Sequence, residues 1–232
     1  MQRIHPRERL ACAMELLGGA KVVADIGCDH GRLSCALVQS GRAESCIAVD
    51  ISAPSLKKAE QLAAQLGVSG RVETRLGDGL APLATGEADA LAILGMGGTL
   101  MTRILEAVKT PLAGAKLCVL QPMRAAEDIR RWLYERGYAV IDDRVVLDTG
   151  RFYQIFSVAP PTDTPRTPPD GWPDDCFILG YKAFERREPN LFRLAERMLQ
   201  TTERKRRTQR SELLDRQAEQ LRKILSFREE AR

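Results

Sequence analysis

Residues 21–31 read Lys-Val-Val-Ala-Asp-Ile-Gly-Cys-Asp-His-Gly, and no other stretch of the chain limits its possible folds so strongly. Val22, Val23, Ala24 and Ile26 form a short apolar run, the pattern of a strand buried on both faces of a parallel sheet. Asp25, Gly27 and Gly31 mark its exit. Residues 32–39 then put Leu33, Ala36 and Leu37 on one helical face. Strand, glycine turn and helix open a βαβ unit, in which glycine lets the backbone approach a ligand and the helix start offers free N–H groups.

The turn selects among ligands. Asp29 stands where a dinucleotide-binding turn needs its second glycine, and the Gly-Lys-Ser/Thr of a Walker loop is absent. A carboxylate there repels pyrophosphate but suits a cation, and S-adenosylmethionine carries both a sulfonium and an ammonium. A strand–turn–helix without a ligand stays open on these residues alone. Residues 45–50 form a second buried-strand run ending in Asp50, spaced from Asp25 so that its carboxylate can take ribose hydroxyls. A plain strand-end turn is the alternative for Asp50. Ser52 is placed to cap the next helix, Pro54 fits its first turn, and Gly67 is placed to close it near residue 66.

Further elements repeat the alternation. An opening helix over residues 6–17 ends at Gly18-Gly19. A third strand at 71–76 leaves through Gly77-Asp78-Gly79, where Asp78 is placed for an adenine amino group or for a simple turn. A fourth, at 88–94, leaves through Gly95-Met96-Gly97-Gly98, whose exposed backbone would admit a flat base; a tight turn would need only one of those glycines. A fifth, at 116–120, leaves through Gln121-Pro122, and strands at 139–147 and 152–158 finish as a pair. The expected fold is α/β: a doubly wound, Rossmann-like sheet with an antiparallel end.

Residues 1–158 are expected to form that domain and residues 159–175, with six prolines and three threonines, a linker. Residues 176–232 follow as a C-terminal helical unit. Two apolar stripes, at 191–198 and 213–225, flank a polar gap, which predicts an antiparallel helical coiled-coil hairpin. Its tip carries Arg204, Lys205, Arg206, Arg207 and Arg210. From Arg186 onward there are fourteen Lys/Arg against eight Asp/Glu, a net of +6 in a chain of +4, so the preceding part is about −2. A basic projection beside a mildly acidic domain suits a polyanion, although a solvated coiled-coil face would read the same way.

Six cysteines show no C-x-x-C pairing and no nearby histidine grouping, so neither a metal nor a disulfide framework is expected. No long apolar span occurs; a soluble, cytoplasmic monomer without membrane contact is the expectation.

Residues 24–30, 75–80, 95–100, 120–122 and 150–153, followed by the coiled coil, resemble the bacterial TrmK-type family of tRNA adenine-N1 methyltransferases, which modify position 22. The resemblance covers nearly the whole chain. It departs at Gly31 and Arg32, where the family often has a small residue and a tyrosine, and at Met123, where asparagine is usual. It implies a class I methyltransferase fold and S-adenosylmethionine held by Asp25, Gly27, Asp50, Ile51, Asp78, Gly79 and Gly95. It also implies tRNA held by Met96, Gly97, Gly98, Gln121, Pro122 and the basic tip. Asp29, with His30 beside it, is the candidate catalytic pair, since methylation at N1 leaves the base cationic and a nearby carboxylate stabilises that charge. A purely structural role for the pair is the alternative. A small-molecule methyltransferase and a non-catalytic tRNA-binding protein on the same fold remain the competing functions.

Overall fold

The computed structural model describes residues 4–161, 172–173 and 175–229, so most of the expected linker lies outside the described residues. Helix α1 (Glu8–Leu16) leads into β1 (Val22–Ile26), α2 (Arg32–Gln39), β2 (Ser45–Asp50) and α3 (Ala53–Leu66). There follow β3 (Val72–Leu76), β4 (Ala90–Gly97), α4 (Gly98–Glu106), β5 (Leu117–Arg124), α5 (Ala126–Glu135), β6 (Ala139–Asp148) and β7 (Arg151–Ala159). Local chemistry sets these limits. The Ser52 hydroxyl accepts the Ser55 N–H at 3.3 Å and Pro54 sits in the first turn of α3. Gly67, at φ 72°, ends that helix in the left-handed conformation that glycine adopts without strain.

The seven strands lie in the order β3-β2-β1-β4-β5-β7-β6, with β7 antiparallel to both of its neighbours. Val23 belongs to the apolar layer under α1, α2 and α3, whereas Ala24 and Ile26 belong to the layer under α4 and α5. The connections from β1 and from β4 run to opposite sides, which opens a crevice at the carboxyl ends of these two strands.

The fourth and fifth strands run further than their apolar patterns suggest. Gly95, at φ 78°, absorbs an irregularity, and pairing resumes with Met96 opposite Pro122 and Gly97 opposite Arg124. Gln121 and Pro122 therefore lie inside β5 and not beyond it. Proline is tolerated because β7 pairs only with residues Cys118, Val119 and Leu120, leaving no partner in need of the missing N–H. Gly98 has its own reason: a Cβ there would stand 2.0 Å from the Ala125 carbonyl oxygen.

Beyond the sheet, α6 (Tyr181–Glu185), α7 (Pro189–Arg206) and α8 (Glu212–Glu229) complete the chain. The last two form the expected antiparallel hairpin. Its ion pairs join Arg206 to Asp215, Glu203 to Arg222 and Glu196 to Arg228. Leu191, Phe192, Leu221 and Ile224 share a third core with Val145 of β6 and with Trp172, Leu179 and Phe184. Leu213, expected on the apolar stripe, is 59% exposed because the hairpin projects past that core. The Gln217 amide reaches Glu127 at 3.5 Å. This contact sets the tip-proximal turn of α8 beside the start of α5, at the edge where the parallel strands end.

Candidate cofactor and substrate site

A cleft of about 530 Å³ opens at the carboxyl ends of β1, β2 and β4, within the usual size of a small-molecule site. It brings together Asp25, Gly27, Asp29, His30, Asp50 and Ile51, and from further along the chain Asp78, Gly79, Gly95 and Met96. Gly27 has φ 70°, and the Met96 methyl lies 2.1 Å from where its Cβ would be, so the exits of β1 and β4 close on each other. Asp29 also adopts a positive φ, 51°, a conformation that a short polar side chain tolerates better than most.

Asp50 holds the two turns together. Its Oδ2 accepts the Asp29 N–H at 2.9 Å and its Oδ1 accepts the Ser52 N–H at 2.9 Å. Ile51 beside it is 73% exposed, an apolar surface lining the same cleft as Leu100 and Ile104. Asp25 lies beneath, 4% exposed, accepting a 2.7 Å hydrogen bond from the Ser34 hydroxyl. Burial pushes its carboxyl up to about 6; the Ser34 hydrogen bonds oppose the shift and the nearby Asp50 charge adds to it.

That raised value has a sign. In the free protein, the stability associated with Asp25 is fully present below its unfolded value near 4 and is lost as pH rises through about 6. A bound cation reverses this, because it needs the ionised form. Asp25→Asn is therefore expected to stabilise the free protein at pH 7.5 by about 1–3 kcal/mol while weakening a cationic ligand. A lowered melting temperature at that pH would contradict the account.

Asp29 and His30 sit at the mouth, with Asp29 Oδ1 3.4 Å from His30 Nε2. Lys58 Nζ stands 3.1 Å from the same nitrogen. The two contacts exclude each other: an ammonium only donates, so Nε2 either accepts from Lys58 or carries a proton toward Asp29.

Not every expected residue reaches the cleft. Gly97 and Gly98 lie behind it, the latter packed on Ala125. Gln121 is fully buried and Pro122 buried, and neither can touch a base directly. Instead, Gln121 Oε1 accepts from Arg9 Nη1 at 2.6 Å. Arg9 lines the cleft near Gly95, stacks 5.5 Å from the Tyr153 ring and donates its backbone N–H to Asp148. Sequence reasoning passed over Arg9 because α1 reads only as a scaffold helix, and its partners are more than a hundred residues away. Cys28 is buried, its thiol pushed up by burial and by Asp25, Asp50 and Asp29, which favours the thiol over the reactive thiolate. Among the described residues no group of three or more His, Cys, Asp or Glu could hold a metal ion.

At the hairpin tip Arg204, Lys205, Arg207 and Arg210 are exposed. Arg206 is engaged within the hairpin by Asp215 at 2.6 Å and Glu203 at 3.2 Å.

A family described as "Methyltransferase domain" matches residues 7–156, nearly two thirds of the chain. The chain belongs to this methyltransferase family. It is 37% identical over 156 residues to the tRNA (adenine(22)-N(1))-methyltransferase of Bacillus subtilis strain 168, covering 67% of this chain and 66% of that protein. The match thus spans just under two thirds of the relative's length. The crystal structure of the B. subtilis M1A22 tRNA methyltransferase TrmK superposes with a TM-score of 0.76 at 26% identity, over 98% of this chain and 99% of that one. A Streptococcus pneumoniae protein in complex with S-adenosyl-L-methionine has a TM-score of 0.81 at 24% identity, over 94% and 98% of the two chains, and shares the fold. Those two alignments run the length of this chain, its helical hairpin included. No described helix is long and apolar enough to cross a membrane.

Proposed function

We propose that the chain transfers a methyl group from S-adenosylmethionine to N1 of an adenine in tRNA, at position 22. The observation that carries the reading is the acid-lined cleft at the strand-order reversal, where Asp25, Asp50 and Asp78 converge on turns too crowded with carboxylate for a pyrophosphate. This donor set fits the cofactor. Asp50 would take the ribose hydroxyls, Ile51 and Ile104 would flank the adenine, Asp78 would accept from its amino group, and Asp25 would complement the ammonium end. Bound there, the cofactor supplies a sulfonium methyl group as the electrophile.

Neutral adenine already offers a lone pair on N1, so the protein needs no strong base. Its task is alignment and exclusion of water. Asp29, at the mouth, would stabilise the positive charge that the base acquires, with His30 fixing the carboxylate's direction. Arg9, held by Gln121 and Tyr153, would form the wall against which the base is positioned. N1 lies on the Watson–Crick edge, so a paired adenine must first leave its stack. A tRNA substrate supports the cytoplasm as its place of work.

Labelled cofactor and unmodified tRNA transcripts test the reading directly: the expected product nucleoside is 1-methyladenosine from position 22. No label in tRNA, or label on another nucleoside, would sink it. The tip gives the second arm. With Arg206 engaged within the hairpin, neutralising Arg204, Lys205, Arg207 and Arg210 is expected to flatten the log–log salt dependence of tRNA binding by about 3–4 units, and an unchanged slope would remove the tip from the interface.

A further inference from the structure

On the far side of His30 a second groove, of about 390 Å³, runs between α3 and the segment that enters α1. Ile4, Leu62 and Leu66 form its apolar floor. Its rim carries His5, His30, Arg32 and Lys58, followed along α3 by Gln61 and Gln65; no carboxylate lines it among the described residues. Lys58, Gln61 and Gln65 fall on one helical face by their three- and four-residue spacing.

Several of the domain's other cations are paired. Arg75 is held by Glu73 and Glu87, Arg130 by Asp143, and Arg144 by Asp142. Here they are not. Lys58 meets only the imidazole of His30, a base and not a counter-ion, and Arg32 has no hydrogen-bond or ion-pair partner among the described residues. Two uncompensated cations, two imidazoles and two exposed amides converge on one trough, all donors or potential donors toward an anion.

The groove shares His30 and Arg32 with the cofactor cleft. A polymer that inserts one base into the cleft can lay its neighbouring backbone across this shared rim. We infer that the groove is a phosphate track for the RNA strand flanking the target nucleotide, with Lys58 and Arg32 on phosphates and Gln61 and Gln65 on phosphate or 2′-hydroxyl oxygens. The inference rests on the tRNA reading above and adds a second contact surface, on the face of the domain built by α3. The hairpin holds the body of the substrate; this track holds the strand at the point where the base departs.

Lys58 tests it, being exposed and outside the cofactor cleft. In the full chain, Lys58→Gln is expected to reduce the salt slope of tRNA binding by about 0.7–0.9 and to raise the KM for tRNA several-fold. Cofactor affinity, read by calorimetry on the same sample, should stay at the wild-type value. Lys58→Arg should restore both tRNA readouts, and Lys58→Glu should depress affinity further. Wild-type protein that methylates tRNA, with Lys58 variants indistinguishable from it, overturns the track and leaves the enzyme reading intact. Wild-type protein that does not methylate tRNA brings down both. Inorganic phosphate that binds wild type but not Lys58→Gln, with the tRNA slope unchanged, would make the groove a free-phosphate site and overturn the RNA assignment.

Discussion

Asp50→Ala is expected to weaken S-adenosylmethionine binding by about 1.5–3 kcal/mol, roughly 10- to 150-fold, with the protein still folded. Two effects act in the same direction. On the proposed binding mode the variant loses charge-assisted acceptors for the ribose hydroxyls. It also releases the Asp29 and Ser52 N–H groups, each now held at 2.9 Å, so the turn between β1 and α2 is no longer tied to the turn between β2 and α3. Asp50→Asn separates the effects. An amide has one accepting oxygen in place of two, so it can keep one of the two backbone bonds and should fall between wild type and alanine. Equal cofactor affinity in wild type and the folded alanine variant, measured by calorimetry, would remove Asp50 from the site.

The features legible in sequence are those whose signal is local. β1 and β2 are buried on both faces and announce themselves as apolar runs, and Ser52 and Gly67 bracket α3 through backbone chemistry that acts within four residues. Asp25, Asp50 and Asp78 were readable because each stands at a strand exit, and a parallel sheet gathers its exits along one edge. What sequence could not show depends on contacts across the fold. The length of β5 is decided by pairing with β4 beyond a glycine irregularity, not by the apolar run that stops at Leu120. Two glycines of the fourth exit answer to structure: Gly95 to a positive φ and Gly98 to the Ala125 carbonyl. Gln121 reads as a ligand at a strand exit but turns inward to hold Arg9.

The charge count behaved in the same way. A net of +6 from Arg186 onward identifies a basic segment, but not which cations are free. Arg206, Arg222 and Arg228 are bound within the hairpin, whereas Lys58 and Arg32, scattered in a slightly acidic domain, lie together on one trough. Local electrostatics follow from geometry, and summed charge is only the first guide.

A buried ion pair ties α5 to β6 beside the segment leading to α6, and breaking it should have the largest effect on stability. Arg130 of α5 is 5% exposed and Asp143 of β6 is 1% exposed, with Nη2 3.0 Å from Oδ1. Arg130 also donates to Gln154 at 2.7 Å and stacks 4.5 Å from the Phe156 ring, and Gln154 in turn donates to the Ile178 carbonyl. Gly180 packs so closely that a Cβ there would overlap the Asp143 carboxylate. The pair thus sits where α5, β6, β7 and the segment leading to α6 meet. Arg130→Met keeps much of the volume but strands the carboxylate, at an expected cost of about 3–5 kcal/mol, or roughly 6–20 °C in Tm for a chain of this size. Burial already pushes Asp143 up to about 6 even beside Arg130. Without the arginine it should rise further and take up a proton, so the deficit should shrink as pH is lowered from about 8 to about 5. The double change Arg130→Met with Asp143→Leu removes both charges and should recover much of the loss. A single variant as stable as wild type at pH 8, or a deficit that grows on acidification, would show that the pair does not bear the junction. Cutting the chain after Glu188 would be a poorer test of the hairpin's role, since it strips Val145, Trp172 and Phe184 of their apolar partners along with the basic tip.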